Sequence, residues 1–245
     1  MKQEIFFETT RERRGLYILS FGGNSSKGES RDLNNDSLWC GSNLIVVADG
    51  IGKREEAGYA SRTAVEIMKI AGTEKRGIEY AQRLDEVMKT ANSAVYERAQ
   101  ARGNPMGTTC TALRWYEEGE NIAWELAHVG DSAAYKANLK KVNCRKLTID
   151  HVTETRLTRG VGCSVDLEVD YQRGIIEEED MFILCSDGLR KGMSEEDIIG
   201  SIAEIIHKRK DPGNAAKKTN EFAHLLNDCD NCTTAVLYVQ AAQRG

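Results

Sequence analysis

Apolar residues along the chain follow two rhythms. Short runs at 16–21, 38–49, 108–116, 122–129, 133–137, 181–185 and 233–239 are dense in apolar and β-branched residues and are bounded by Gly, Asn or Asp. That pattern predicts β-strands. Longer stretches at 55–70, 79–101, 195–207 and 214–226 carry apolar residues three and four apart, which predicts amphipathic helices. Ser194, followed by Glu195, Glu196 and Asp197, is a good helix start, because a hydroxyl cap and early acids satisfy the free N–H groups. Asp211-Pro212 marks the start of the last helix in the same way.

The order of these elements carries the fold class. Two strand groups come first, then two long helices in succession, then a series of strands, then two more helices before a final strand. This is not the alternation of a doubly wound parallel sheet. It predicts an α+β domain with antiparallel sheets covered by helix pairs. Hairpin-like loops are expected at 117–121 and 130–132. Residues 138–174 are less regular and read as a small surface segment. No internal repeat, low-complexity tract or linker interrupts the chain, so 1–245 reads as one domain.

Composition narrows the function. Of 245 residues, 40% are hydrophobic and 29% charged, enough for a buried core. The net charge of −5 and the lack of a long basic run argue against a nucleic-acid partner. Arg11-Glu12-Arg13-Arg14 is broken by a carboxylate and reads as a solvated surface turn. Neither a signal peptide nor an apolar stretch of membrane-spanning length is visible, so no membrane partner and a soluble, cytoplasmic protein are expected. The seven cysteines are expected to be reduced structural thiols. Cys229-x-x-Cys232 cannot close a zinc site without two further ligands. His128, His151, His207 and His224 are scattered and read as core or surface histidines.

The candidate chemistry lies in acidic residues at the ends of apolar runs. Residues 44–48 lead into Asp49-Gly50, 126–130 into Asp131-Ser132 and 182–186 into Asp187-Gly188, while Asp230-Asn231 precedes the run at 233–239. Any one Asp-Gly is by itself a turn. Several at matching strand ends would place carboxylates in one cleft. Such carboxylates repel, and a hard divalent cation resolves the repulsion. Oxygen-only ligands favour Mg²⁺ or Mn²⁺ over zinc. Gly50 is expected to let the backbone approach an ion.

At these residues the chain resembles a known family. Gly28-Glu29-Ser30-Arg31-Asp32-Leu33-Asn34-Asn35-Asp36-Ser37, Val47-Ala48-Asp49-Gly50-Ile51-Gly52, Met106-Gly107-Thr108-Thr109 and Val129-Gly130-Asp131-Ser132 occur in order. Leu147-Thr148-Ile149-Asp150-His151, Thr158-Arg159-Gly160-Val161-Gly162, Cys185-Ser186-Asp187-Gly188-Leu189 and Asp230-Asn231-Cys232-Thr233 follow. Together they resemble the metal-dependent protein phosphatases of type 2C, or PPM, in their bacterial form.

The resemblance implies a four-layer α-β-β-α sandwich with a small flap-like segment around 138–174. It implies a serine/threonine protein phosphatase that is a monomer and acts on phosphoproteins made by a Ser/Thr kinase. Asp49, Asp187 and Asp230 would be catalytic. Asp49 would bridge two Mn²⁺ or Mg²⁺ ions, with the Gly50 carbonyl on one and Asp187 and Asp230 on the other. Asp36 would hold metal-bound water, Asp131 would help bind a third, looser ion, and Arg31 would grip the substrate phosphate. A hydroxide bridging the binuclear centre would attack phosphorus in line, so no cysteine nucleophile is needed. Ile51 stands where eukaryotic members often carry a histidine, and Asn35 replaces the usual Glu beside Asp36. Two other functions share these residues: a non-catalytic pseudophosphatase that binds a partner, and a phosphatase for a small phosphorylated metabolite.

Overall fold

The structure, a computed structural model, describes residues 4–242 except 42, 53, 54, 77, 78, 81, 155, 228 and 229. In chain order the elements are β1 (Glu4–Arg14), β2 (Tyr17–Ser26), β3 (Asp36–Gly41), β4 (Leu44–Gly52), α1 (Glu55–Thr73), β5 (Lys75–Arg76) and β6 (Glu79–Tyr80). They continue with α2 (Leu84–Arg102), β7 (Met106–Thr108), β8 (Cys110–Glu118), β9 (Asn121–Val129), β10 (Ala133–Asn138), β11 (Asn143–Lys146) and β12 (Asp170–Ile175). The last are β13 (Asp180–Cys185), α3 (Asp187–Gly192), α4 (Glu195–Arg209), α5 (Pro212–Leu226) and β14 (Cys232–Ala241).

Two antiparallel sheets form the body. One has the order β1-β2-β14-β13-β10-β11, and the other β12-β9-β8-β4-β3 with β7 also on β4. Their facing sides alternate with outward sides, as the two-residue period of a strand requires. Phe21, Val47, Trp115, Trp124, Phe182 and Leu237 share the core between the sheets. Val46, Ala112 and Ala127 pack instead with Ala64, Met68, Val87 and Met88 of α1 and α2. Ile183, Val236 and Tyr238 pack with Ile198, Ile202 and Ala216 of α4 and α5. The expected α+β class and the α-β-β-α layering are therefore both present. Among the described residues no helix is long and apolar enough to cross a membrane.

The expected caps hold. Ser194 Oγ accepts the Asp197 N–H at 3.1 Å, and Asp211 Oδ1 accepts the Asn214 N–H at 3.1 Å. Other expectations need correction. Arg11 to Arg14 are not a solvated turn; they lie in β1, paired with Ser20 to Tyr17 of β2. As an edge strand, β1 presents charges to solvent, which is how edges resist further pairing. The run at 38–49 contains a turn: Asn43, with φ of 67°, separates β3 from β4. The second helix begins at Leu84 rather than at 79. The loop at 117–121 is a hairpin between β8 and β9. The 130–132 segment instead crosses between sheets, because β9 and β10 belong to different ones.

The described residues of 147–169 form the irregular stretch, which is tied down at several points. Asn92 of α2 donates to the Ser164 and Val165 carbonyls at 3.0 and 3.2 Å and accepts the Gly162 N–H at 2.7 Å. Thr108 and Val161 exchange backbone hydrogen bonds of 2.9 and 2.8 Å.

Candidate active site

Antiparallel pairing brings the acidic strand ends together. In the register of β3 and β4, Asp36 lies opposite Asp49. β13 runs beside β14 with Cys185 opposite Thr234, so Asp187, just after β13, meets Asp230, just before β14. The two sheets meet at this end: the Thr233 hydroxyl of one donates to Asp36 Oδ2 of the other at 2.6 Å.

Each acid has its own support. The backbone of Asp49 is clamped on both sides. Its N–H donates to Thr109 Oγ1 at 2.9 Å, and its carbonyl accepts the Thr108 hydroxyl at 2.8 Å and the Thr109 N–H at 2.9 Å. Thr109 Oγ1 also lies 2.7 Å from Ser132 Oγ, which joins β4 to the Asp131 crossover. The Ser186 N–H donates to the Thr233 carbonyl at 2.9 Å, and the Thr233 N–H donates to Ser186 Oγ at 3.0 Å. That pair fixes Asp187 relative to Asp230. Gly188 permits this closeness, since a Cβ there would sit 2.0 Å from the Asn231 carbonyl oxygen. Gly28 likewise lies against the Asp230 backbone, where a Cβ would come within 2.4 Å of the carbonyl oxygen.

Gly50 has a packing reason that the sequence did not show. A Cβ would lie 2.3 Å from the Ala57 carbonyl oxygen and 2.7 Å from that of Asn35. Close packing against α1 therefore demands glycine there, whether or not an ion is nearby. Asn35 contributes its backbone carbonyl, which accepts the Gly50 N–H at 3.2 Å and the Ser61 hydroxyl at 2.6 Å.

The electrostatics are frustrated. Burial pushes the Asp36 carboxyl up to about 7, against the opposing pull of the Thr233 hydroxyl. Burial, and then the charges of Asp36, Asp187 and Asp230, push Asp49 well above the ordinary range. Asp131 is raised by burial and by Asp187. Asp36 Oδ1 and Asp187 Oδ1 are buried without a hydrogen-bond partner. Asp230 is the exception. Burial raises it, but Lys191 and Arg31 overcome that and hold it below the usual value. Lys191 Nζ lies 2.6 Å from Asp187 Oδ2 and 2.6 Å from Asp230 Oδ2, and Arg31 Nη2 lies 2.8 Å from the same Asp230 oxygen.

Asp36, Asp49, Asp187 and Asp230 thus share one cluster, with Arg31 at its rim, half exposed, and Asp131 within electrostatic reach of Asp187. As placed, no three His, Cys, Asp or Glu side chains among the described residues are gathered closely enough to hold a metal ion. The donor chemistry nevertheless fits a hard divalent cation: like-charged carboxylates, two of them with orphaned buried oxygens, are costly until a cation neutralises them. The residue that sequence reasoning missed is Lys191. A helix read at 187–192 would have found it, because i and i+4 share a face.

Asp150 lies apart from the cluster, paired with Arg190 at 2.8 Å and Lys146 at 3.0 Å. Cys229 lies outside the described residues, and Cys232 is buried at the start of β14. Cys40, Cys110 and Cys185 are buried thiols whose pKa values are raised by burial.

Comparison with known proteins adds to this geometry. The family described as Protein phosphatase 2C matches residues 31–226. The serine/threonine protein phosphatase PstP of Mycobacterium tuberculosis is 28% identical over 223 residues, covering 80% of this chain. The chain spans 42% of the length of that relative. The serine/threonine phosphatase stp of Listeria monocytogenes is 25% identical over 228 residues, which cover 82% of this chain and 86% of that protein. Among solved structures, the catalytic domain of PstP in complex with two manganese ions superposes with a TM-score of 0.77 at 25% identity, over 91% of this chain and 99% of that one. PppA of Pseudomonas aeruginosa shares the fold, with a TM-score of 0.79 at 23% identity over 91% of this chain and 98% of that one.

Proposed function

The chain belongs to the protein phosphatase 2C family, and we propose from that premise that it is a metal-dependent phosphatase of phosphoserine and phosphothreonine in proteins phosphorylated by a Ser/Thr kinase. The observation that carries the reading is the meeting of Asp36, Asp49, Asp187 and Asp230 at one end of the sandwich, where the pKa values of Asp36 and Asp49 are raised by burial and Asp36 Oδ1 and Asp187 Oδ1 lack a donor. The two manganese ions in the PstP catalytic domain support Mn²⁺, or Mg²⁺ by its similar hardness, as the cofactor. When bound, such a pair supplies Lewis acidity that lowers the pKa of water and neutralises phosphoryl charge.

The chain's own residues do the rest. Asp49, its position held by Thr108 and Thr109, would hold the metal together with Asp187, Asp230 and the Gly50 carbonyl. Asp131 would help to hold a further, looser ion. Asp36, holding the Thr233 hydroxyl, accepts protons from water at the reacting centre. Arg31 turns its guanidinium from Asp230 to the substrate phosphoryl oxygens, a role its half-exposed place permits. Ile51 is apolar and cannot donate a proton, so the departing alkoxide takes its proton from water or from another residue. No cysteine takes part.

The test is Mn²⁺-dependent hydrolysis by the full chain of matched phosphoserine, phosphothreonine and phosphotyrosine peptides and of small phosphometabolites. Release of phosphate from the first two, abolished by EDTA, is expected. Turnover of metabolites alone would move the substrate class, and no turnover on any substrate would favour a binding module.

A further inference from the structure

Lys191 occupies a place that the proposed function does not explain. Its ammonium sits between two acids of the cluster, 2.6 Å from Asp187 Oδ2 and 2.6 Å from Asp230 Oδ2. The same oxygen of Asp230 holds Arg31 at 2.8 Å, and the other accepts the Asn231 N–H at 2.9 Å. Both oxygens of Asp230 are therefore engaged within the chain.

The base of this lysine is fixed. Asn227 Nδ2 donates to the Lys191 carbonyl at 3.1 Å. The next residue, Gly192, packs so closely on α5 that a Cβ would lie 2.9 Å from the Ala223 carbonyl oxygen. One residue before the helix, Ser186 is locked to Thr233. Lys191 thus leaves α3 from a rigid point, always within reach of both carboxylates. Its side chain is 43% exposed, so the ammonium can also swing to water without rearranging the core.

We infer that Lys191 is a built-in counter-cation, which holds Asp187 and Asp230 when no divalent ion is bound and competes with that ion for the same carboxylate oxygens. The inference rests on the metal reading of the cluster. It accounts for two observations together: the acids share one cleft, yet no three of them among the described residues stand in one coordination sphere. A single positive charge bound to two carboxylates must be displaced before a doubly charged ion can take them. Displacement costs affinity, while in the metal-free chain the same contact lowers the repulsion of clustered acids.

The experiment is calorimetric titration of Mn²⁺ into the metal-free full chain, for wild type, Lys191→Met, Lys191→Gln and Lys191→Arg, with thermal melts of each. The neutral variants should bind Mn²⁺ at least tenfold more tightly than wild type, and the charge-keeping Lys191→Arg should stay within about threefold. Without metal, Lys191→Met and Lys191→Gln should melt below wild type, and their rise in Tm on adding Mn²⁺ should be larger. Equal affinity of wild type and the neutral variants overturns the role of Lys191 and leaves the metal reading standing. Weaker binding in the neutral variants overturns it too, since Lys191 would then assist the ion. Absence of Mn²⁺ binding in every form overturns both readings.

Discussion

The second sheet carries buried charge at two places, treated in opposite ways. Near the middle of β8 and β9, Arg114 is 2% exposed and Glu125 2%. Arg114 Nε donates to Glu125 Oε1 at 2.6 Å, and its other nitrogens donate to the Gly72 and Gln82 carbonyls. Tyr171 donates to Glu125 Oε2 at 2.7 Å, and Tyr80 lies 3.8 Å under the guanidinium. Arg114 stands beside Leu44 at the start of β4. Five residues along that strand, roughly 17 Å, Asp49 meets Asp36 with the same sign of charge and too few donors. The first cluster is complete in itself and can only hold the fold together. The second is incomplete, and on the proposed function a bound cation would stabilise it. Buried charge alone therefore does not mark a functional site; uncompensated buried charge does.

The sharpest break in this comparison is Asp49→Asn. Phosphatase activity under saturating Mn²⁺ should fall by about three orders of magnitude or more, because charge at the reacting centre is lost. The metal-free variant should be at least as stable as wild type by circular dichroism, since one repelling acid is gone. Near wild-type turnover in a folded variant would remove Asp49 from the mechanism.

Arg114→Met should do the reverse. It strands Glu125, and urea unfolding should show a loss of about 3–5 kcal/mol. At temperatures where the variant remains folded, kcat should be close to wild type. A large kcat defect with unchanged stability would mean that the two charged places are not independent.

The pH dependence of the metal-free protein separates them further. Asp36 is pushed from its ordinary value up to about 7 in the folded state, so the folded chain binds more protons than the unfolded one between these limits. The stabilisation is full below about 4, the unfolded value, and is lost as pH rises through about 7. Without metal, stability should fall across that window by on the order of a few kcal/mol. Asp36→Asn should flatten the curve relative to wild type. A wild-type curve as flat as that of Asp36→Asn, followed by urea unfolding from pH 4.5 to 8, would show that the carboxyl is not perturbed.

The smallest effect is expected at the rim. Arg31→Ala should raise KM for a phosphopeptide several-fold with a lesser change in kcat, as loss of ground-state phosphate binding requires. An unchanged KM would confine Arg31 to its pairing with Asp230.

Much of this arrangement was legible beforehand because it depends on local order. Apolar rhythm separated strands from helices, and the acids at strand ends stood in the sequence before any contact was known. The edge strand β1 was not legible, because its charges alternate in the manner of a solvated surface and only pairing with β2 gives it form. The 130–132 crossover was read as a hairpin because loop length does not reveal which sheet receives the next strand. At Gly50 the sequence did not reveal the close approach of α1, which requires a glycine there.

The sequence by itself therefore determined the central strands, the four long helices, the α+β class and the presence of acids at strand ends, since periodicity and residue chemistry are properties of neighbours along the chain. Tertiary structure alone decided which acids face one another, which oxygens lack a donor and which cation sits among them. Asp36 and Asp230 are separated by nearly the whole chain, and only the meeting of two sheets, through Thr233 and the start of β14, brings them to one place. Lys191 joins them for the same reason. A short helix after β13 aims its side chain back at Asp187, and the adjacent strand delivers Asp230 to the same ammonium.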